Sequence, residues 1–234
     1  MRLYIIRHAD PDYDNNTITE HGHLEAKALA KRMSREGLTH IYSSPLGRAL
    51  HTMQYTADAT RLKPTIQEWF HERIEWVVEH GEGGTMMPWD VPGEHIRAQA
   101  PYPVRENWHE LEPFHSPALK FDFDVLKEHS DAFLAEKGYV RDGGRYRCVK
   151  SNRERIAVFC HGGFGLSWVA HLLELPLVMI WSGFWMPPSS VTTILFDERS
   201  KDWAVPRCIG MSDVSHLYAE GLPVRPRGIK ANFD

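Results

Sequence analysis

Two continuous apolar runs, Leu3-Tyr4-Ile5-Ile6 and Ile156-Ala157-Val158-Phe159-Cys160, each end abruptly in polar or loop-forming residues. Runs of this length without polar alternation predict strands buried on both faces, the pattern of an α/β sheet. The first delivers Arg7 and His8 to a loop marked by Asp10, Pro11, Asp14 and Asn15. The second delivers His161, Gly162 and Gly163, followed by a helical stripe of Leu166, Val169 and Leu173 with Pro176 beyond its end.

Between the two runs the period changes to that of a helix. Leu24, Ala28, Leu29 and Met33 recur at helical spacing from Thr19 to about Glu36, with Thr17 or Thr19 placed to cap the start and Gly37 to close the end. His40-Ile41-Tyr42-Ser43 predicts a short strand, and Ser44-Pro45 a helix start, with Leu46, Leu50, Met53 and Ala57 as its buried stripe. Arg48 then falls in the first turn, off that stripe and near amides that favour anions. Thr65-Ile66-Gln67 reads as a third strand.

Residues 69–120 lose clean periodicity and become dense in Trp, His, Pro and Gly. A structureless loop of that length is unusual, so the segment is expected to form a cap inserted into one domain spanning residues 1–234. Helical spacing returns at Phe123, Leu126, Phe133 and Leu134, ending at Gly138, and Tyr139 to Lys150 predicts a peripheral hairpin around Asp142-Gly143-Gly144. Ser190 to Phe196 and Trp203 to Ile209 complete the strands, joined by a turn at Asp197, Glu198, Arg199 and Ser200. The expected architecture is three-layered: a mostly parallel central sheet flanked by helices.

Composition narrows the function classes. A 42% hydrophobic and 25% charged chain with net charge -4 has no basic surface for nucleic acid or membrane, so an anionic substrate must meet a local cationic pocket. Cys148, Cys160 and Cys208 show no close pairing, Met1 to Ile6 is too short for a signal peptide, and no apolar run reaches the length of a membrane span. A cytoplasmic location is therefore expected, with the oligomeric state open and a homo-oligomer among the options. His21 and His23 lie two apart at a helix start, where they do not share a face, so no metal is expected there.

The chemistry sits where the strands end. In open α/β sheets ligands gather at the carboxyl ends of strands, and His8 and His161 both fall at such ends. Together with Arg7 and Arg48 they would make a pocket for a tetrahedral dianion. These residues also carry a resemblance. Leu3-Tyr4-Ile5-Ile6-Arg7-His8-Ala9, Thr19 with Gly22 and Ala26, Ser43-Ser44-Pro45-Leu46-Gly47-Arg48-Ala49 with Thr52, and Val158-Phe159-Cys160-His161-Gly162-Gly163 together resemble the histidine phosphatase superfamily, which includes cofactor-dependent phosphoglycerate mutases. The resemblance covers most of residues 1–68 and 153–197.

It implies a metal-independent phosphatase, needing no cofactor, that hydrolyses a small-molecule phosphate ester through a phosphohistidine on His8. Arg7, Arg48, His161 and Gly162 would bind the phosphoryl group. The family's general acid is a Glu after the third strand, which fits Glu68 best and Glu72 next. The chain departs from the family at Ala9-Asp10-Pro11, where mutase members differ, and Asp10 is expected to orient an arginine or histidine rather than touch substrate. The alternatives are a phosphomutase, with Arg73, Arg97 and Arg105 as extra cations, and a catalytically silent phosphate-binding or scaffold domain.

Overall fold

In the first strand, successive side chains go to opposite layers: Leu3 and Ile5 enter one hydrophobic cluster, Tyr4 and Ile6 another. Strand geometry alternates faces at every residue, so an unbroken apolar run is the signature of a sheet covered on both sides. The computed structural model describes residues 1–80 and 83–229; Gly81 and Glu82, inside the segment expected to form a cap, lie outside the described residues.

Along the chain come β1 (Arg2–Arg7), a small ribbon of β2 (Pro11–Asp12) and β3 (Thr17–Ile18), α1 (Glu20–Met33), β4 (His40–Ser43), α2 (Gly47–Thr60) and β5 (Thr65–Ile66). A second ribbon, β6 (Val78–His80) and β7 (Gly84–Met86), precedes α3 (Gly93–Arg97), α4 (Pro117–Glu136) and the hairpin β8 (Tyr139–Asp142) and β9 (Arg145–Cys148). Then follow β10 (Arg155–Cys160), α5 (Gly162–Leu173), α6 (Leu177–Gly183), β11 (Val191–Asp197), β12 (Trp203–Asp213) and α7 (Ser215–Ala219).

The central sheet has eight strands in the order β5-β4-β10-β1-β11-β12-β9-β8. Its first four strands are mutually parallel, and the remainder pair antiparallel. The expected hairpin is present and lies at the sheet edge, joined through Trp203 opposite Arg147. Leu29 and Met33 of α1 with Met53 and Ala57 of α2 cover one face, while Leu126 and Phe133 of α4 and Phe164 and Trp168 of α5 cover the other.

Two local expectations change and two are sharpened. Leu24 is exposed; α1 is seated instead by Ala26, Leu29, Ala30 and Met33. Thr19 does cap that helix, accepting from the Gly22 amide. The second helix begins at Gly47 rather than at Ser44-Pro45, because the Ser44 hydroxyl is engaged elsewhere: it accepts the Leu46 amide and pairs with His161. Pro176, read as lying past a helix end, is also the residue that opens α6.

Residues 69–120 hold short elements welded to the main core by aromatic rings. Trp76, Trp108 and Phe114 are buried and pack around Trp181 of α6, at ring separations of 5.9, 6.2 and 6.1 Å. Among the described residues no helix is long and apolar enough to cross a membrane.

Candidate active site

Register brings the chemical residues together. Arg7 of β1 stands beside Cys160 of β10, and the His8 amide donates to the Cys160 carbonyl at 2.9 Å. Ser43 of β4 stands beside Phe159, and the Ser44 amide donates to the Phe159 carbonyl at 2.9 Å. Three adjacent parallel strands therefore end side by side, carrying Ser44, His161 and His8 to one edge. The ring centroids of His8 and His161 are 5.2 Å apart.

The His8 ring is fixed by its own neighbour. Its Nδ1 lies 2.8 Å from the Ala9 carbonyl oxygen, which can only accept, so Nδ1 carries the proton and Nε2 presents a lone pair. The Ala9 peptide is held in turn by α2, since its amide donates to Thr52 Oγ1 at 2.9 Å. Burial, followed by the charges of Arg7 and Arg48, holds His8 well below the usual imidazole range. An uncharged imidazole with a directed lone pair can act as a nucleophile.

Both arginines are almost fully buried. Arg7 donates through one terminal nitrogen to the carbonyls of Met186 and Arg227, at 2.5 and 3.0 Å. Gly162 lies beside this guanidinium, where a Cβ would be in ordinary contact with Arg7 Nε at 3.4 Å. Arg48 donates to Asn16 Oδ1 at 3.4 Å and lies over the Tyr13 ring. The loop bearing these two residues presses directly on the start of α2, where a Cβ at Gly47 would be 2.1 Å from the Asn16 carbonyl. Three buried nitrogens at this edge, Arg7 Nε, Arg48 Nε and His161 Nδ1, have no hydrogen-bond partner among the described residues. His161, wholly buried, is also held well below the usual range, by burial first and then by His8 and the arginines.

The two candidate acids part company. Glu68 is exposed in a 3-10 turn, beside Gln67, Trp69, His71, Arg73 and His129, and its backbone carbonyl rather than its carboxylate is used, accepting from His71 Nδ1 at 2.6 Å. Glu72 sits against the start of α5. Its carboxylate accepts the amides of Gly163 and Phe164, at 3.1 and 2.8 Å, at the N-terminus of α5. Burial pushes the Glu72 carboxyl above its ordinary value even though these amides, Arg48 and Arg7 pull the other way. A short 3-10 turn after β5 separates the two carboxylates, and element boundaries of this kind are poorly marked in sequence.

Several partners of the site carry weaker sequence signals. Asp10 accepts from Arg227 and Thr19, both at 2.7 Å, so it orients an arginine from the far end of the chain. Arg73 and Arg105 are paired with Glu75 and Glu174. His21 lies 3.2 Å from both Glu25 and the Pro223 carbonyl, and His23 pairs with the Tyr55 hydroxyl at 3.0 Å.

Among curated relatives, the probable phosphoglycerate mutase GpmB of Serratia proteamaculans is 29% identical over 68 residues, covering 25% of this chain and 32% of the relative. Phosphoserine phosphatase 1 of Hydrogenobacter thermophilus is 30% identical over 100 residues, covering 39% of this chain and 45% of the relative. The chain thus matches between 32% and 45% of the length of these two relatives. Solved structures extend the likeness of fold. Phosphoserine phosphatase from Entamoeba histolytica, in complex with 3-phosphoglyceric acid, superposes with a TM-score of 0.60 at 20% identity, covering 92% of this chain and 98% of that one. A mycobacterial glucosyl-3-phosphoglycerate phosphatase gives 0.59 at 18% identity, covering 90% and 98%. The model of the histidine phosphatase superfamily (branch 1) matches residues 3–207, most of the sheet and every residue gathered at its edge except those of the C-terminal segment, and the chain belongs to that superfamily.

Proposed function

We propose that this protein hydrolyses small phosphate monoesters through a phosphohistidine on His8. The observation that carries the reading is the set of three buried nitrogens, Arg7 Nε, Arg48 Nε and His161 Nδ1, without partners among the described residues, beside a histidine whose Nδ1 is engaged by the Ala9 carbonyl. Donors left without acceptors in a buried site are costly unless they serve a ligand, and a tetrahedral dianion supplies the acceptors they lack.

In the proposed cycle, His8 Nε2 attacks phosphorus and the bond to the ester oxygen breaks. Glu72, whose carboxyl is raised by burial, gives its proton to the departing alkoxide. Water then attacks phosphorus and the nitrogen–phosphorus bond breaks, with Glu72 accepting the water's proton and His8 returning to its starting form. Arg7, Arg48 and His161 hold the non-bridging oxygens throughout, where charge is spread in the transition state. In this reading Glu72, rather than Glu68, is the general acid.

Arg73 pairs with Glu75 and Arg105 with Glu174, so two of the three cations a mutase would use already have carboxylate partners. Segment 69–120 acts in this reading as a cap on the site, and the three free cysteines suit a reducing, cytoplasmic setting. The test is a panel of phosphate monoesters without added metal, followed by phosphate release and acid-labile labelling. Release and labelling are expected from the native protein and from neither in the H8A variant; turnover retained by H8A overturns the mechanism.

A further inference from the structure

The Nε2 atom of His161 lies 2.7 Å from the hydroxyl of Ser44, and both residues are wholly buried. The contact is built by the sheet, because β4 and β10 end in register and the Ser44 amide is held by the Phe159 carbonyl. Which partner donates the shared hydrogen decides the tautomer of His161.

Counting donors and acceptors gives an answer. Ser44 Oγ already accepts the Leu46 amide at 3.2 Å, and its hydroxyl hydrogen finds no acceptor other than His161 Nε2 among the described residues. If His161 donated from Nε2, that hydroxyl hydrogen would be left without an acceptor among the described residues. If Ser44 donates, the hydroxyl is satisfied and His161 Nδ1 carries a hydrogen. Burial and the neighbouring cations keep the ring uncharged, so only one of its nitrogens carries a proton.

We propose that Ser44 is a positioning residue that locks His161 in the Nδ1–H tautomer and so supplies a directed donor to the phosphoryl oxygens. The two histidines then share one tautomer but turn opposite ends to the pocket. His8 spends its Nδ1–H on the Ala9 carbonyl and shows a lone pair; His161 spends its Nε2 lone pair on Ser44 and shows a hydrogen. One ring attacks and the other stabilises, without a difference in charge. The assignment of His161 to phosphate rests on the function proposed above, whereas the tautomer itself does not.

The experiment is long-range nitrogen–proton correlation NMR on protein labelled with nitrogen-15 histidine, with and without inorganic phosphate, assigned through the H161N variant. In the native protein, His161 is expected to show a protonated Nδ1 and an unprotonated Nε2, with Nδ1–H moving on phosphate addition. In S44A the signature should shift toward the other tautomer or a mixture, phosphate affinity should fall, and kcat should drop by about 10-fold or more, toward the loss seen when one transition-state donor is removed. A native His161 protonated at Nε2 overturns the proposal whatever the activity and whether or not S44A folds. So does a folded S44A with native tautomer and kcat. Absence of phosphate release by the native protein, with the expected tautomer present, would instead overturn the function and leave the Ser44 assignment standing.

Discussion

Arg227 Nε donates to Asp10 Oδ1 at 2.7 Å, tying the C-terminal segment to the loop that follows the candidate nucleophile. Burial opposes ionisation of Asp10, but hydrogen bonds from Arg227 and Thr19 hold its carboxyl below the ordinary value. The backbone of the same residue acts on the other side, where the Arg227 carbonyl accepts from Arg7 at 3.0 Å and from the Trp185 indole at 3.0 Å. The segment is thus a strap that helps hold the Arg7 guanidinium.

Cutting the strap should weaken phosphate binding without abolishing it. The R227A variant is expected to lose about threefold to tenfold in affinity for inorganic phosphate, the worth of roughly one hydrogen bond of ~1 kcal/mol. Amides of residues 222–229 should exchange faster. Adding D10N should cost little more, because the two side chains share one interaction. Calorimetry and hydrogen exchange check both; native affinity with fast exchange would dissociate the strap from the clamp.

Glu72 and Glu68 make a clean pair of substitutions. E72Q keeps an acceptor for only one of the Gly163 and Phe164 amides and cannot give up a proton, so hydrolysis of alkyl phosphates should fall by about 10²-fold or more. With an aryl ester, whose leaving group needs no proton, the first-turnover burst should survive. E68Q, at an exposed position, should behave as native. Equal activity in both variants would remove Glu72 from the mechanism.

The pH profile of kcat/KM carries the same assignments. His8 must be unprotonated to attack, and its depressed value places the acid limb below the ordinary histidine range. Glu72 must be protonated to serve the leaving group, and its raised value places the alkaline limb above the ordinary carboxyl range. E72Q should abolish the alkaline limb and keep the acid one. An unchanged alkaline limb in E72Q would assign it to another group.

Gly163 is one of the contacts between α5 and the segment 69–120. A Cβ there would come within 2.5 Å of the Trp89 ring. Replacing a helical Gly by Ala ordinarily gains up to ~1 kcal/mol, but overpacking of this kind costs about 1–3 kcal/mol, so G163A should be net destabilising. It should also lower kcat, because the Gly163 amide holds Glu72. W89A in the same chain should relieve part of both losses, and melting temperatures with a double-mutant cycle measure the coupling.

The parallel half of this fold was readable because its signals are local. Unbroken apolar runs mark β1 and β10, and Arg7, His8 and His161 follow them directly in sequence. What escaped the sequence depends on pairing at long range. The register of β4 against β10 brings Ser44 to His161, a separation of 117 residues, and nothing near either residue announces it. The choice between Glu68 and Glu72 turned on a single turn after β5, too short to leave a period. The strap from Arg227 to Asp10 spans 217 residues and could not be anticipated beyond the expectation that Asp10 orients a cation.

Glu25 supplies a last test, on stability. It is wholly buried on α1, its Oε2 accepts the Asp10 amide at 2.8 Å, and its Oε1 lies 3.2 Å from His21 Nε2. Burial raises its carboxyl to about 7, with the nearby Asp10 adding to the rise and the Asp10 amide, Arg7 and Arg225 opposing it. The folded state therefore binds a proton more tightly than the unfolded chain, whose carboxyl sits near its ordinary value of 4.5. Stability from this proton is fully present below the unfolded value and is lost as pH rises through the folded one. The loss is of the order of 3 kcal/mol at about 1.4 kcal/mol per tenfold. E25Q keeps an acceptor for the Asp10 amide and cannot ionise. Its melting temperature should match the native protein at about pH 4 and exceed it by several degrees at about pH 8.5. A native protein that outlasts E25Q at the higher pH would mean that the ionised Glu25 is stabilised by Arg7, Arg225 and His21 more strongly than burial penalises it.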